Sequence, residues 1–375
     1  MTGGRPGGSV PGGSVPGEPV PCGSVPGRTV GRTVGRTVGR TVLLGFLDAH
    51  VHLALIDPAP LTAAGIARVL DLGGWTPPRS TLPVESDPGA RPRRVEVGAG
   101  EPQRAGRPAS AVLPETVFAG QFLAAPGGYP SERSWAPAGS VRFVAQATDA
   151  AAAVDDQLAL GASVIKVTLN GDAGPVLPRA VLAAIVGHAH DRGAPVLAHA
   201  EGAGQALRAF EAGVDALAHT PFSERLGDEV IAAMARRMAW ISTLDIHCWG
   251  EPTDDFDRAV DNLRRFHRAG GQVLYGTDLG NGPLPLGLNR REINALLGAG
   301  LSGDDVLRSL TMGNLGGFRT VLRGPTGSER LVTVLRGKRP ADPAAFSAWL
   351  GTARAISPTD LGDLGDLSTL DPPDS

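Results

Sequence analysis

The sequence predicts an α/β protein built around a (β/α)8 barrel of the TIM type. From about residue 116 onward, short hydrophobic runs alternate with segments of helical length, which is typical of parallel βα units. A glycine, the residue favoured just after a helix, stands at three helix-to-strand joints: Gly161, Gly193 and Gly213. No glycine-rich phosphate-binding loop occurs early in the chain, so a closed barrel is favoured over an open doubly wound sheet.

The predicted elements follow one another in order. Strands are predicted at 42–47, 66–72, 116–123, 164–167, 195–198, 216–218, 239–244 and 273–275. Helices are predicted at about 147–160, 178–192, 202–212, 226–237, 256–269, 289–299 and 303–311. Eight strands are the number that a TIM barrel requires.

The chain divides into three parts by composition. Residues 1–42 are a low-complexity tail of Gly-Ser-Val-Pro and Gly-Arg-Thr-Val repeats, which bury too little surface to offset the entropy of ordering, so disorder is predicted. The barrel spans 43–317 and is interrupted at about 75–112 by an insert rich in Pro, Arg and Gly. Residues 318–375 form a C-terminal extension, with one strand at 330–335 and a short helix at 344–356.

Bulk composition narrows the class of protein. The hydrophobic fraction of 42% suffices for a large core, and the net charge of −3 gives no argument for nucleic acid or an anionic membrane as a partner. Arginines of the repeat tail could contact nucleic acid, but a neutral extension is the interpretation we favour. Two cysteines and the absence of a long apolar run predict a cytoplasmic protein without a disulfide framework or a membrane span.

Polar residues of the types that bind metals follow the predicted strands. His50 and His52 are two residues apart at the end of the first strand, so their imidazoles can point to the same side. His199 and His219 each close a strand, and Asp278 ends the eighth. Taken singly, each could be a hydrogen-bonded rim or core residue. Because a barrel gathers its strand ends at one mouth, together they predict a site for Zn²⁺ or a similar divalent ion.

Lys166 lies inside the apolar run Val164–Val167, where a charged amine would be costly to bury. One explanation is an ordinary ion pair at the barrel mouth. The other is that its neutral amine has reacted with carbon dioxide to give a carbamate that bridges two cations. We favour the carbamate, because of the histidines predicted around it.

These motifs resemble those of the amidohydrolase superfamily, and most closely its imidazolonepropionase-like and Xaa-Pro dipeptidase-like branch. The resemblance covers about residues 43–315 and is carried by Asp48–His52, Ile165–Val167, Ala198–Ala200, Ala218–Thr220 and Gly276–Asp278. Asp71–Gly74 and Ala125–Pro130 are similar to non-catalytic stretches of that branch.

The resemblance implies a role for each ligand. It places His50 and His52 on a more buried ion, and His199 and His219 on a more exposed one. Lys166 would bridge the two zinc-like ions, and Asp278 would be both a ligand and the proton shuttle. Thr220 and Thr277 are candidates to orient the ligands by position only.

The implied activity is hydrolysis of a C–N amide bond in a small substrate, such as a dipeptide, an N-acyl amino acid or a cyclic amide, by metal-activated hydroxide. Tyr129 and His247 could reach the mouth and contact substrate. Two alternatives stay open: a mononuclear deaminase or cyclic-amidine hydrolase on the same barrel, and a catalytically silent barrel that acts as a scaffold. Homo-oligomers are compatible with either.

The sequence departs from the family pattern at three places, all of them outside the predicted ligand set. The N-terminal β segment of a small composite sandwich is expected to be replaced by repeats, leaving that sandwich degenerate or absent. Leu44-Gly45 stands where Pro-Gly is usual before the first strand. Residues 312–317 replace an Asn-Pro-Ala-like helix entry. No residue of the predicted ligand set is missing.

Overall fold

The computed structural model describes residues 39–74, 112–311 and 330–361 of the protein. The strands are β1 (Arg40–Leu44), β2 (Phe46–Val51), β3 (Ile66–Asp71), β4 (Glu115–Phe118), β5 (Phe122–Ala124), β6 (Val141–Phe143), β7 (Ile165–Asn170), β8 (Val196–Glu201), β9 (Ala216–Leu217), β10 (Ala239–Ile241), β11 (Gln272–Leu274), β12 (Val332–Arg336) and β13 (Arg354–Ile356). The helices are α1 (Ala150–Ala159), α2 (Arg179–Asp191), α3 (Gln205–Glu211), α4 (Asp228–Ala235), α5 (Asp254–Arg268), α6 (Arg290–Gly298), α7 (Gly303–Thr311) and α8 (Pro343–Leu350).

Two parallel sheets together form the barrel. One has the order β11-β10-β9-β8-β7-β5-β6, and the other has the order β2-β3-β4. At one seam Tyr275 O accepts from Ala49 N at 2.9 Å, which joins β2 to the chain just after β11. At the other seam Phe118 O accepts from Ser163 N at 3.0 Å, which joins β4 to the start of β7. These bonds close the predicted (β/α)8 ring, with β7, β8, β9, β10 and β11 as its last five strands.

Side chains from both sheets fill the interior of the ring. The cluster comprises Leu47, Ala49, Leu70, Leu72, Val117, Ala119, Val164, Leu197, Ala216, Ala218, Ala239, Ile241 and Leu274. Alanine supplies five of these positions, and small residues suit a narrow barrel whose opposite walls approach closely. The barrel is therefore packed with apolar side chains beneath its mouth.

The helices lie where the sequence predicts them, within a few residues at each end. Gly161, Gly193 and Gly213 have φ values of +90°, +72° and +85°. These values lie in the left-handed region that glycine tolerates best, so the predicted stop signals are confirmed. The indole of Trp240 stacks on Phe266 of α5 with ring centroids 3.9 Å apart, which fastens that helix to the barrel.

The predicted first strand is in fact two strands. β1 leaves the barrel and pairs antiparallel with β12, which pairs in turn with β13. Gly45 separates β1 from β2. A side chain does not fit there, because a Cβ would lie 2.5 Å from Leu331 O and 2.6 Å from the Cβ of Ala67. The expectation that repeats replace the N-terminal β segment was therefore wrong for Arg40–Val42, and a degenerate three-stranded sheet is present.

Two further elements differ from the prediction. The predicted third strand is divided at Gly120, whose φ is +79° and where a Cβ would lie 2.5 Å from Gln157 Oε1. The helix predicted at 344–356 ends at Leu350, and the chain then turns into β13. Apart from residues 39–42 and 112, the repeat tail predicted at 1–42 and the insert predicted at about 75–112 lie outside the described residues, as does the motif at 312–317.

Candidate metal centre

All six predicted ligands converge on one small cavity at the carboxyl ends of the barrel strands. The cavity is lined by His50, His52, Phe122, Tyr129, Trp135, Lys166, Thr168, His199, His219, Asp278 and Asn281. His50 and His52 end β2, Lys166 lies on β7, and His199 lies on β8. His219 and Asp278 follow β9 and β11. Strand order thus brings together residues that are up to 228 positions apart in the chain.

The two histidines of β2 are oriented by backbone carbonyls. His50 Nδ1 lies 2.8 Å from Ala218 O, and His52 Nδ1 lies 3.0 Å from Gly73 O. A carbonyl only accepts hydrogen bonds, so in the neutral rings the proton sits on Nδ1 and the lone pair on Nε2. Both Nε2 atoms face Asp278, at 3.0 and 3.1 Å from its Oδ1. The two imidazoles therefore present ligand atoms toward the same point.

Asp278 is held by its backbone as well as by its side chain. Its φ is +60°, and its N–H donates to His50 O at 2.8 Å. Oδ2 accepts from Asn281 Nδ2 at 2.8 Å, while Oδ1 faces the histidines. Burial raises the pKa of Asp278, but its interactions with His50 and His52 outweigh burial and hold it well below its usual range. The carboxylate is therefore ionised at neutral pH.

His219 and His199 complete the ring of imidazoles, and their centroids are 4.9 Å apart. His219 Nδ1 lies 3.0 Å from Thr243 Oγ1, which leaves Nε2 as its second ring nitrogen. His199 is held the other way round, since its Nε2 lies 2.9 Å from Glu201 Oε2 and Nδ1 is left over. The His219 ring is also 4.7 Å from that of His50, so it stands between the β2 pair and His199.

Lys166 is 1% exposed and makes no ion pair with any residue in the described ranges. Burial lowers its pKa to about 7, against the opposing charges of Asp278 and Asp71. A lysine amine is a nucleophile only when it is neutral, and here a large fraction is neutral near pH 7. Within the described residues, Lys166 therefore does not form the simple ion pair that was one explanation for its burial.

The donor set fits a divalent cation. His50 Nε2 is buried and makes no hydrogen bond, although a carboxylate oxygen lies 3.0 Å away. Ligand atoms of His50, His219 and Asp278 lie within 4.8 Å of one another. A buried imidazole lone pair facing a carboxylate is costly unless something bridges the two groups. Imidazole nitrogen with carboxylate oxygen is a donor combination that zinc accepts.

Several residues that hold the ligands were missed from the sequence. Thr220 Oγ1 makes a long 3.4 Å bond to Ile241 O and does not orient a histidine, whereas Thr243 does. Thr277 binds Asp48, with its N–H 3.0 Å from Oδ1. Glu201 could have been suspected, because it stands two positions after His199 on the same face of a strand.

The two predicted substrate contacts differ in position. Tyr129 lines the cavity, and its ring stacks on His199 at 4.7 Å with an interplanar angle of 24°. His247 stands back from the cavity lining, against Phe222 at 4.0 Å between ring centroids. Its Nε2 is buried without a hydrogen-bond partner, and burial lowers the pKa of His247 to about 4. A neutral imidazole with an unused nitrogen is thus available beside the mouth.

Comparison with known proteins relates this geometry to solved structures. No protein-family model matches the chain, and no curated protein matches it. A Xaa-Pro dipeptidase with bound methionine is 20% identical with a TM-score of 0.61, covering 85% of this chain and 86% of that one. An A. niger ochratoxinase is 16% identical with a TM-score of 0.60, covering 84% and 82%. A dihydroorotase is 13% identical with a TM-score of 0.52, covering 84% and 79%.

The chain shares the fold of these solved structures, an amidohydrolase among them. The fold expected from the sequence motifs is therefore confirmed at the level of structure, and the six predicted ligands line one cavity. Among the described residues, no helix is both long enough and apolar enough to cross a bilayer.

Proposed function

We propose that the protein is a metal-dependent amidohydrolase that cleaves a C–N amide bond of a small substrate, such as a dipeptide, an N-acyl amino acid or a cyclic amide. The observation that carries the proposal is the convergence of four histidines, one lysine and one aspartate on a single buried cavity. His50 Nε2, buried without a hydrogen bond among the described residues, supports a bound cation rather than a purely structural polar cluster.

We assign two zinc-like ions to the cavity. His50, His52 and Asp278 would hold the more buried ion, and His199 and His219 the more exposed one. Lys166, as a carbamate formed from carbon dioxide, would be a ligand to both. Its burial without an ion pair in the described ranges and its partly neutral amine support this assignment.

When bound, such ions lower the pKa of a coordinated water from about 15.7 toward about 7 and polarise a carbonyl group. The protein's own contribution to proton transfer falls to Asp278. Its Oδ1 faces His50 and His52, so we assign the moving proton to Oδ2, which Asn281 holds in place at 2.8 Å. Asp278 would accept the proton of the attacking water at Oδ2 and return it to the leaving nitrogen.

Tyr129 and His247 would contact the substrate. Burial raises the pKa of Tyr129 to a value well above neutrality, so its hydroxyl stays protonated and can donate a hydrogen bond. The aromatic rings of Phe122 and Trp135 line the same cavity and would exclude water from one side of it. We therefore propose a small organic molecule as the substrate.

Metal analysis and turnover test the proposal together. Purified protein should contain about two zinc ions per chain, and Lys166→Ala should lose at least one of them. Asp278→Asn should retain metal yet lose at least about 100-fold in kcat toward any dipeptide or N-acyl amino acid that the wild type cleaves. His188→Asn is a matched control, because His188 on α2 binds Asp155 on α1, outside the barrel strands.

Other outcomes separate the alternatives. One ion per chain with an active Lys166→Ala variant would favour the mononuclear deaminase. Absence of bound metal, or of turnover across a broad panel of amides with metal-loaded protein, would refute the hydrolase. Mass spectrometry of the native protein should detect the added mass of carbon dioxide on the peptide that contains Lys166.

A further inference from the structure

Two buried aspartates stand beside the candidate metal centre and bind the polypeptide around the predicted ligands rather than the ligand side chains. Asp48 is 1% exposed and Asp71 is 0% exposed. Neither lines the cavity. An isolated buried carboxylate is costly, so each needs a compensating set of donors. Both find those donors on the polypeptide that carries the ligands.

Asp48 links the two segments that meet where the barrel closes, β2 and the chain just after β11. Its Oδ1 accepts from His50 N at 3.1 Å and from Thr277 N at 3.0 Å. Its Oδ2 accepts from Thr277 Oγ1 at 2.5 Å. Three donors thus converge on one side chain from β2 and from the residue just before Asp278. The separation in sequence between Asp48 and Thr277 is 229 residues, so this link ties the first ligand pair to the last ligand.

Asp71 holds the other side of the same strand end. Its Oδ2 accepts from Leu53 N at 2.7 Å, one residue after His52. Its Oδ1 accepts from Gly73 N at 3.0 Å. The Gly73 carbonyl in turn lies 3.0 Å from His52 Nδ1. Asp71 therefore fixes both the backbone that follows His52 and the turn whose carbonyl orients its ring.

We propose that Asp48 and Asp71 are positioning residues that brace the end of β2 from both sides, so that His50, His52 and Asp278 hold one arrangement before any cation arrives. The inference rests on the proposed metal site for its purpose, but the brace itself is a property of the polypeptide. Ligands fixed in advance lose little entropy on binding an ion, and residues that orient metal ligands contribute about 10–100-fold to affinity.

The hydrogen-bond pattern predicts different responses to the same chemical change. In Asp48→Asn, the amide oxygen can still accept from both backbone donors, and the new amino group can donate to the Thr277 hydroxyl. In Asp71→Asn, each original oxygen faces one N–H, so the amino group opposes a donor whichever way it turns. We therefore expect zinc affinity to change by less than about tenfold in Asp48→Asn and to fall by about 10–100-fold in Asp71→Asn.

Thr277 provides a second test that spares both carboxylates. Thr277→Val removes the hydroxyl donor and should weaken zinc binding by about tenfold, whereas Thr277→Ser should restore it. Asp342→Asn is the control, since Asp342 caps α8 by accepting from Ala345 N and should leave zinc affinity unchanged. Zinc affinity is measured by competition with a chromophoric chelator, and circular dichroism verifies that each variant is folded.

Hydrogen exchange in the metal-free protein separates the brace from the proposed function. The amide of residue 53 should exchange about fivefold faster in Asp71→Asn than in the wild type, and the amides of residues 50 and 277 about fivefold faster in Thr277→Val. All three should exchange at the wild-type rate in Asp342→Asn. If the wild type bound no zinc but showed these exchange changes, the metal proposal alone would fail. Equal zinc affinity in Asp48→Asn, Asp71→Asn and wild type, with unchanged exchange, would overturn the brace.

Discussion

Glu292 allows a stability prediction whose magnitude follows from its surroundings. The side chain on α6 is 0% exposed. Its Oε2 accepts from Asp245 N at 2.7 Å, and its Oε1 has no hydrogen-bond partner among the described residues. Burial raises the pKa of Glu292 from 4.5 to about 7. The folded protein therefore retains a proton that the unfolded chain releases near pH 4.5. Stability contributed by this proton is complete below that pH and is lost as pH rises to about 7.

A shift of this size corresponds to about 3 kcal/mol, at about 1.4 kcal/mol per pKa unit. Glu292→Gln resembles the protonated acid and cannot ionise. The difference in free energy of unfolding, variant minus wild type, should thus increase by about 3 kcal/mol in favour of the variant between pH 4.5 and pH 8. Any constant cost of placing an amide there cancels from this change with pH.

Urea unfolding at a series of pH values, with chelator present, measures the difference directly. Glu211→Gln, an exposed glutamate paired with Arg179, is the control and should show no comparable trend. A flat difference for Glu292→Gln, or one that turns against the variant as pH rises, would contradict the view that burial dominates this carboxyl. Agreement would identify Glu292 as a source of lost stability above neutral pH.

Three further predictions concern the core and the residues that hold the ligands. Phe266→Ala should lower the free energy of unfolding by about 3–5 kcal/mol, because the ring is fully buried against Trp240. A urea titration measures this loss, and a loss under about 1 kcal/mol would be inconsistent with that packing. Gly73→Ala should reduce zinc affinity, measured by chelator competition, by about 10–100-fold, since φ is +131° and a Cβ would lie 2.4 Å from the Phe122 ring. Wild-type affinity would disprove that the Gly73 turn orients His52. Thr243→Val should weaken zinc binding by about tenfold while Thr243→Ser does not, because only the hydroxyl reaches His219 Nδ1; equal affinities would argue against this contact.

Local patterns identified most of the barrel in advance. Aliphatic runs predicted β7, β8 and β11, and glycines predicted where α1, α2 and α3 end. Both signals are local, since strand and cap preferences depend on a few neighbouring residues. The prediction failed at Gly45 and Gly120, where a continuous apolar run conceals a division imposed by close approach of other segments.

The candidate site was predicted through the same strand-end logic, and its six ligands do converge on one cavity. The residues that orient them were less visible. In the sequence, nothing distinguishes Thr243 and Asp71 from other loop and strand residues. Thr220, which adjoins His219, was the threonine predicted to orient a ligand there. Which hydroxyl meets which imidazole depends on the path of neighbouring strands, and the sequence pattern carries no information on that path.

By itself, the sequence determined which side chains stand at strand ends, because alternation and apolar periodicity are written residue by residue. Only the tertiary structure decided that Arg40–Leu44 joins β12 and β13, that Asp48 reaches Thr277, and that His199 is held by Nε2 while His219 is held by Nδ1. Apart from the local contact of His199 with Glu201, these contacts join segments that are distant along the chain or lie on neighbouring strands. Their geometry depends on how the whole barrel packs and on which donors burial leaves within reach.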